Sequence, residues 1–277
     1  MSATVTRVFD LLKHNLENFS KDEFISGKIN GEWVKYSTQQ FCEQTNNLSK
    51  GLTTLGIGKG SRVAIMSTNR PEWNIGDYAI MQLGAYQIPL YPTLAEHDIK
   101  FIIEDAEIQV IFVGDEQLYE KVKTVIAEIK HEVKIYSFNK VSGANHWLEL
   151  VEIGKNTEVD LETYRNQVTP EDILTLIYTS GTTGTPKGVM LTHDNLVQNF
   201  KKSAVLLPKG VAHGLSFLPL SHIFERMISY LYAYLNISIY YAESMDTIVA
   251  DIQSVKPMVF STVPRLLEKV YDKIVEK

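Results

Sequence analysis

Apolar positions along the chain fall into two alternating rhythms. Short apolar runs at Arg62–Met66, Tyr86–Tyr91, Ile108–Val113 and Val133–Phe138 read as buried strands. Between them, apolar residues recur every three or four positions, as in Leu118, Val122, Val125, Ile126 and Ile129, the spacing of one helix face. Such alternation is the sequence form of βαβ units and a mostly parallel sheet. Earlier, Phe24–Tyr36 reads as a hairpin, because Asn30-Gly31 suits a tight type I′ turn flanked by Ile25, Ile29, Trp33 and Val34. From Thr38 to Leu55 the pattern turns helical. A polar stretch, Gly154–Asp172, breaks the alternation, which resumes with strands at Ile173–Tyr178 and Lys187–Leu191. Thr192-His193-Asp194-Asn195 then supplies capping groups for a helix. Phe224, Ile228, Leu231 and Leu235 form a helical stripe running into a strand at Ile237–Tyr241. A helix near Thr247–Val255, a strand at Met258–Val263 and a helix opened by Pro264 follow. The expected class is α/β, with stacked, mostly parallel sheets flanked by helices.

One segment carries chemistry. Thr179-Ser180-Gly181-Thr182-Thr183-Gly184-Thr185-Pro186-Lys187-Gly188 sets five hydroxyls, three glycines and a lysine between two strands. Glycines let a backbone approach a ligand closely, hydroxyls and N–H groups donate hydrogen bonds, and the lysine brings a point charge. Those are the needs of a polyphosphate. The Walker A spacing does not fit, and a strand rather than a helix follows Lys187. Nor does the dinucleotide fingerprint, since Gly56, Gly58 and Gly60 precede a strand and read as a turn.

The ordered string resembles the signature of the adenylate-forming superfamily: acyl-CoA synthetases, luciferases and the adenylation domains of peptide synthetases. The agreement includes Tyr178 before it and Gly188-Val189-Met190-Leu191-Thr192-His193 at its end. Leu218-Pro219-Leu220-Ser221-His222-Ile223-Phe224-Glu225-Arg226 is similar to a segment of long-chain fatty acid–CoA ligases. Val263 to Tyr271 is similar to the same branch, and Arg62-Val63-Ala64-Ile65 and Asn69-Arg70-Pro71-Glu72-Trp73 match its early region. The resemblance runs from about Phe24 to Lys277.

It implies ATP-dependent activation of a long-chain fatty acid to an acyl-adenylate and then, with coenzyme A, to acyl-CoA. Thr179, Ser180, Gly181, Thr182, Thr183 and Gly184 would wrap the phosphates, with Lys187 reaching the β and γ groups. Thr179 would be the hydroxyl nearest Mg2+, and His222 would lie where the carboxylate meets the adenylate. As residues alone, His222 also reads as a capping or partly buried histidine. Glu225 and Arg226 read as structural ion pairs, and Trp73, Trp147, Tyr230, Tyr232, Tyr234, Tyr240 and Tyr241 as core or lobe-interface residues. By the resemblance, residues 1–277 form an incomplete large N-terminal domain. A first lobe spans about 40–205 and holds the phosphate loop 179–188. A second begins at about 206, packed with residues 1–39. The family's later Tyr-Gly-x-Thr-Glu segment, ribose-binding aspartate and lysine-bearing C-terminal domain are not in this sequence. The 277 residues alone are therefore expected to show little ligase activity, and a cut second lobe to self-associate. Two other readings stay open: a short non-catalytic nucleotide- or lipid-binding homologue, and an adenylating ligase for another acid.

Composition narrows the picture at three points. At 277 residues with 44% hydrophobic and 22% charged, the chain is ordinary globular material, excluding disorder. A net charge of −6 gives no electrostatic footprint for nucleic acid. The single cysteine, Cys42, allows no intrachain disulfide and no thiolate-rich zinc site, and reads as a small residue on a helix. No leader is visible at Met1–Asp10, and the most apolar stretch, Met227–Ala242, is too short and polar to span a bilayer. A cytoplasmic protein is expected, with peripheral membrane contact left open.

Overall fold

The computed structural model describes residues 4–29, 31–179, 186–244, 246–264, 267–268 and 271. After α1 (Asp10–Asn18) comes a hairpin of β1 (Ile25–Ile29) and β2 (Glu32–Tyr36). Gly31 takes the left-handed φ of 81° that such a turn needs, and Asn30 lies outside the described residues. Next is α2 (Thr38–Thr54), whose start is fixed by a capping box between Ser37 and Gln40.

A run of βα units follows: β3 (Arg62–Met66), α3 (Pro71–Met81), β4 (Tyr86–Leu90), α4 (Glu96–Asp105), β5 (Val110–Val113) and α5 (Glu116–Ile126). Then come β6 (Lys134–Ser137), β7 (Asn145–His146), α6 (Trp147–Lys155) and α7 (Leu161–Arg165). With β8 (Ile173–Thr179) and β9 (Lys187–Thr192) they complete a seven-stranded sheet of order β7-β6-β5-β3-β4-β8-β9. All its pairs are parallel except β8–β9. The chain then adds α8 (His193–Ser203), β10 (His213–Ser216), α9 (Ile223–Tyr234), β11 (Ser238–Tyr241), α10 (Ile248–Val255) and β12 (Val259–Phe260). These strands join the N-terminal hairpin in a second sheet of order β12-β10-β11-β1-β2, in which Ile25 of β1 pairs with Ile239 of β11. The α/β class with mostly parallel sheets is as expected.

Alternation along the central strands sorts the core. Val63 and Ile65 of β3 point into a cluster with α2, α3 and α9, while Ala64 and Met66 point into one with α4 and α5. Helix α3 lies in the first cluster and is buried along all eleven residues, Glu72, Asn74 and Asp77 included. Having no solvent side, it shows no amphipathic stripe. Where α2 crosses α6, a Cβ on Gly51 would run into the Leu150 carbonyl, and one on Gly154 into that of Asn47. The backbones approach that closely because both positions are glycine.

Several sequence expectations need correction. The polar stretch 154–172, given no element from sequence, contains the end of α6 and the single-turn helix α7, capped by Asp160. The strand at Met258–Val263 contracts to Val259–Phe260, and the helix expected from Pro264 lies mostly outside the described residues. Gly56 and Gly60 adopt turn φ values of 79° and 81°. Trp73, Trp147, Tyr230, Tyr232 and Tyr241 are buried, while Tyr234 and Tyr240 are partly so. Cys42 is buried on α2, and burial pushes its thiol up to about 12. No helix among the described residues is long and apolar enough to cross a membrane.

Candidate functional site

Strand β8 ends at Thr179, which stands opposite Lys187 of β9 across the antiparallel pair. Both are exposed. The hydroxyl- and glycine-rich loop thus closes a hairpin whose two stems are the first and last of the candidate phosphate-binding residues. Ser180, Gly181, Thr182, Thr183 and Gly184 lie outside the described residues.

His222 is the N-cap of α9 and exposed, and its Nδ1 accepts the Phe224 N–H at 3.2 Å. The segment before it is held from two sides. The Asn69 amide donates to the Leu218 carbonyl at 2.7 Å and accepts the Leu220 N–H at 2.9 Å. Ser221 Oγ donates to the Leu90 carbonyl at 3.1 Å, at the C-terminal end of β4. Because β4 is the neighbour of β8, with Gln87 beside Thr175, His222 starts its helix over the strand ends next to the loop. The C-terminal edge of a parallel sheet is where open α/β folds place ligands.

One turn further along α9, Arg226 makes the connection to β8. Its guanidinium is fully buried and donates to both carboxylate oxygens of Asp77, at 2.5 and 3.2 Å, and to Tyr230 Oη at 2.7 Å. A fourth bond, 2.8 Å, goes to Thr175 Oγ1, which in turn donates to the Gln87 carbonyl at 2.6 Å. Burial is the largest influence and works against the Arg226 charge, but the Asp77 carboxylate and Tyr230 together outweigh it and hold the group above its ordinary value. Thr175 precedes Thr179 by four residues on β8, and Arg226 follows His222 by four on α9. A single buried bond therefore ties the helix carrying His222 to the strand carrying the loop.

Glu225 departs from the ion-pair expectation. It is buried, yet among the described residues its carboxyl accepts only the hydroxyls of Ser216, at the end of β10, and Ser261, just past β12, each at 2.5 Å. No salt bridge to it occurs among the described residues. Burial pushes its carboxyl up to about 7, and the two serines pull against that rise. The helix period explains the split: neighbours point about 100° apart, so Arg226 faces the large sheet while Glu225 faces the ends of the small one.

Asn69, Asp77, Thr175, Ser216 and Ser221 support the site, and periodicity singles out none of them. Asn69 and Ser221 fall inside the motif segments, and Asp77 stands out as a charge inside a run with no polar face. Asn69 also lines a polar cleft of about 270 Å³ between the sheets, where Arg70 meets Glu72 at 2.8 Å and Asn139 at 2.9 Å. Among the described residues no three His, Cys, Asp or Glu side chains gather as a metal site.

Comparison with known proteins gives this geometry a family. Residues 12–277 match the family described as AMP-binding enzyme. The chain is 31% identical, over 97% of its length, to long chain acyl-CoA synthetase 3 of Arabidopsis thaliana, covering 44% of that protein. It is 32% identical, over 88% of its length, to the long-chain-fatty-acid–CoA ligase FadD15 of Mycobacterium tuberculosis, covering 41% of it. The chain thus spans about two-fifths of the length of these curated relatives. In fold it is similar to a long-chain-fatty-acid-CoA ligase (FadD1) from Archaeoglobus fulgidus, with a TM-score of 0.83 and 24% identity. That match covers 100% of this chain and 55% of the other. The N-terminal domain of FACL13 from Mycobacterium tuberculosis matches at a TM-score of 0.80 and 23% identity, over 95% of this chain and 64% of that one. With its sequence matched from residue 12 to residue 277, the chain belongs to the AMP-binding enzymes.

Proposed function

We propose that this chain supplies the phosphate-gripping and acyl-activating side of an AMP-forming ligase that converts a long-chain fatty acid to its coenzyme A thioester. The observation that carries this reading is the Arg226–Thr175 bond, which joins the His222 helix to the strand of the phosphate loop within a chain of this family. In the first step the fatty carboxylate attacks the α-phosphate of ATP, and pyrophosphate leaves. In the second the thiol of coenzyme A attacks the acyl carbonyl, and AMP leaves. Little covalent chemistry falls to the protein, so charge and positioning dominate.

Lys187 meets the charge on the departing pyrophosphate, with the hydroxyls of Thr179, Ser180, Thr182 and Thr183 and the backbone at Gly181 and Gly184 around it. His222, fixed through its Nδ1 cap, presents the rest of its ring to the acyl carboxylate. Thr179 would offer Mg2+ its hydroxyl on this chain, and the ion would offset anionic repulsion. The division into a first lobe of about 40–205 and a second of about 206–277 with residues 1–39 belongs to the same reading. So do a cytoplasmic location and a peripheral membrane contact, where an insoluble acyl chain is found.

The test is fatty-acid-dependent release of AMP and pyrophosphate by the natural protein that carries these residues, compared across long-chain, short-chain and aromatic acids. Replacing Lys187 with Ala should cost roughly a hundredfold in kcat/KM for ATP. A preference for short or aromatic acids would overturn the substrate class, and stoichiometric ATP binding without turnover would favour a binding module. The 277 residues alone are expected to release little pyrophosphate, because the acidic Mg2+ ligand of the family's later segment is not among them.

A further inference from the structure

Tyr178, next to last on β8, is committed in three directions. Its hydroxyl donates to Asp105 Oδ2 at 2.5 Å, at the C-terminus of α4. Its ring meets Phe101 edge-on, with centroids 6.5 Å apart. On its third side it covers Gly188, its direct cross-strand partner on β9. A Cβ at Gly188 would lie 3.2 Å from Tyr178 Cζ, tighter than most packed contacts, so the ring would have to give by a few tenths of an ångström. Gly188 is not among the glycines with positive φ, so its backbone conformation does not call for glycine. The ring does. Burial and the neighbouring Asp105 carboxylate both raise the phenol above its usual range, so it stays a hydrogen-bond donor.

Residues 178 and 188 are the first pair of the ladder below the loop ends, Thr179 and Lys187. Whatever fixes the ring against Gly188 fixes the distance at which the loop leaves and re-enters the sheet. We propose that Tyr178, held by Asp105, is a positioning residue for the phosphate loop, setting Thr179 and Lys187 at the spacing a nucleotide's phosphates require. The proposal rests on the phosphate-gripping reading of residues 179–187. It also gives the glycine that closes that string a role, since a side chain at 188 would press on the ring that Asp105 holds.

The test compares Tyr178→Phe, Asp105→Asn and the double variant by two independent readouts. Trypsin cleavage after Lys187 needs no activity. Each single variant should quicken it several-fold, and the double no more than either single, because all three remove one bond. In the natural protein, KM for ATP should rise several-fold while KM for the fatty acid stays unchanged, a split that general loosening would not give. Unchanged cleavage, additive effects, or equal shifts in both KM values would overturn the proposal. If no adenylation of any acid is found, the functional reading falls separately. Cleavage at Lys187 and its slowing by ATP then still decide the role of Tyr178.

Discussion

Glu225 sits one position from an arginine and never meets it. Its carboxyl is enclosed at the ends of β10 and β12, with two serine hydroxyls as partners and with Tyr232 and Tyr241 as the titratable neighbours that feel its charge. Both phenols are raised by burial and stay neutral, so neither compensates an ionised Glu225. A carboxyl raised from 4.5 to about 7 binds its proton more tightly folded than unfolded. Its contribution is therefore complete below the ordinary carboxylate range and is lost as pH climbs towards 7. The size is on the order of 3 kcal/mol. Replacing Glu225 with Gln should flatten this slope: between pH 4.5 and 7.5 the wild-type Tm falls relative to that of the variant. Parallel Tm curves would rule out the effect. At Asp77 the opposite logic holds, since removing a carboxylate strands a buried guanidinium. Asp77→Asn should cost about 3–5 kcal/mol in urea unfolding, far more than a surface change. Sequence shows Glu225 and Arg226 as adjacent charges in one motif. Only the helix rotation separates their fates.

Among the elements, the legible ones carried one of three local signals. Helices α2 and α5 announce themselves by period because one side is wet, the central strands by unbroken apolar runs because both their faces are covered, and the hairpin by its Asn30-Gly31 turn. Helix α3 lies between the two sheets and has no such contrast, and α7 is a single turn in a polar stretch. The α2–α6 crossing was equally hidden, since nothing local in the sequence shows the carbonyls that face Gly51 and Gly154. Gly154→Ala should therefore destabilise, although alanine is the better helix former. Overpacking of this kind costs about 1–3 kcal/mol, outweighing a propensity gain below 1. A urea midpoint equal to or above the wild type would show that the helices can part without penalty.

For the whole molecule, the loop string and the His222 segment were readable because their chemistry is local in sequence. Their support was not: Asn69 reaches Leu218 and Leu220, and Asp77 reaches Arg226, across roughly 150 residues. No local pattern encodes such partners. Among the described residues β12 is an edge strand of the small sheet, where Met258 and Phe260 are exposed at 56% and 42%. An apolar surface beside a strand edge invites pairing, so the 277-residue chain should form dimers or larger species in light scattering, and a monodisperse monomer would count against this.

The pairing of Ile25 with Ile239 has a consequence in time. Strand β1 is made more than two hundred residues before the strand it lies beside. At cellular elongation rates of about 5–20 residues per second, the hairpin waits roughly 10–40 s with one edge unpaired. Through that interval the large sheet can assemble on its own strands, while the nascent hairpin stays a client for any chaperone at the ribosome exit.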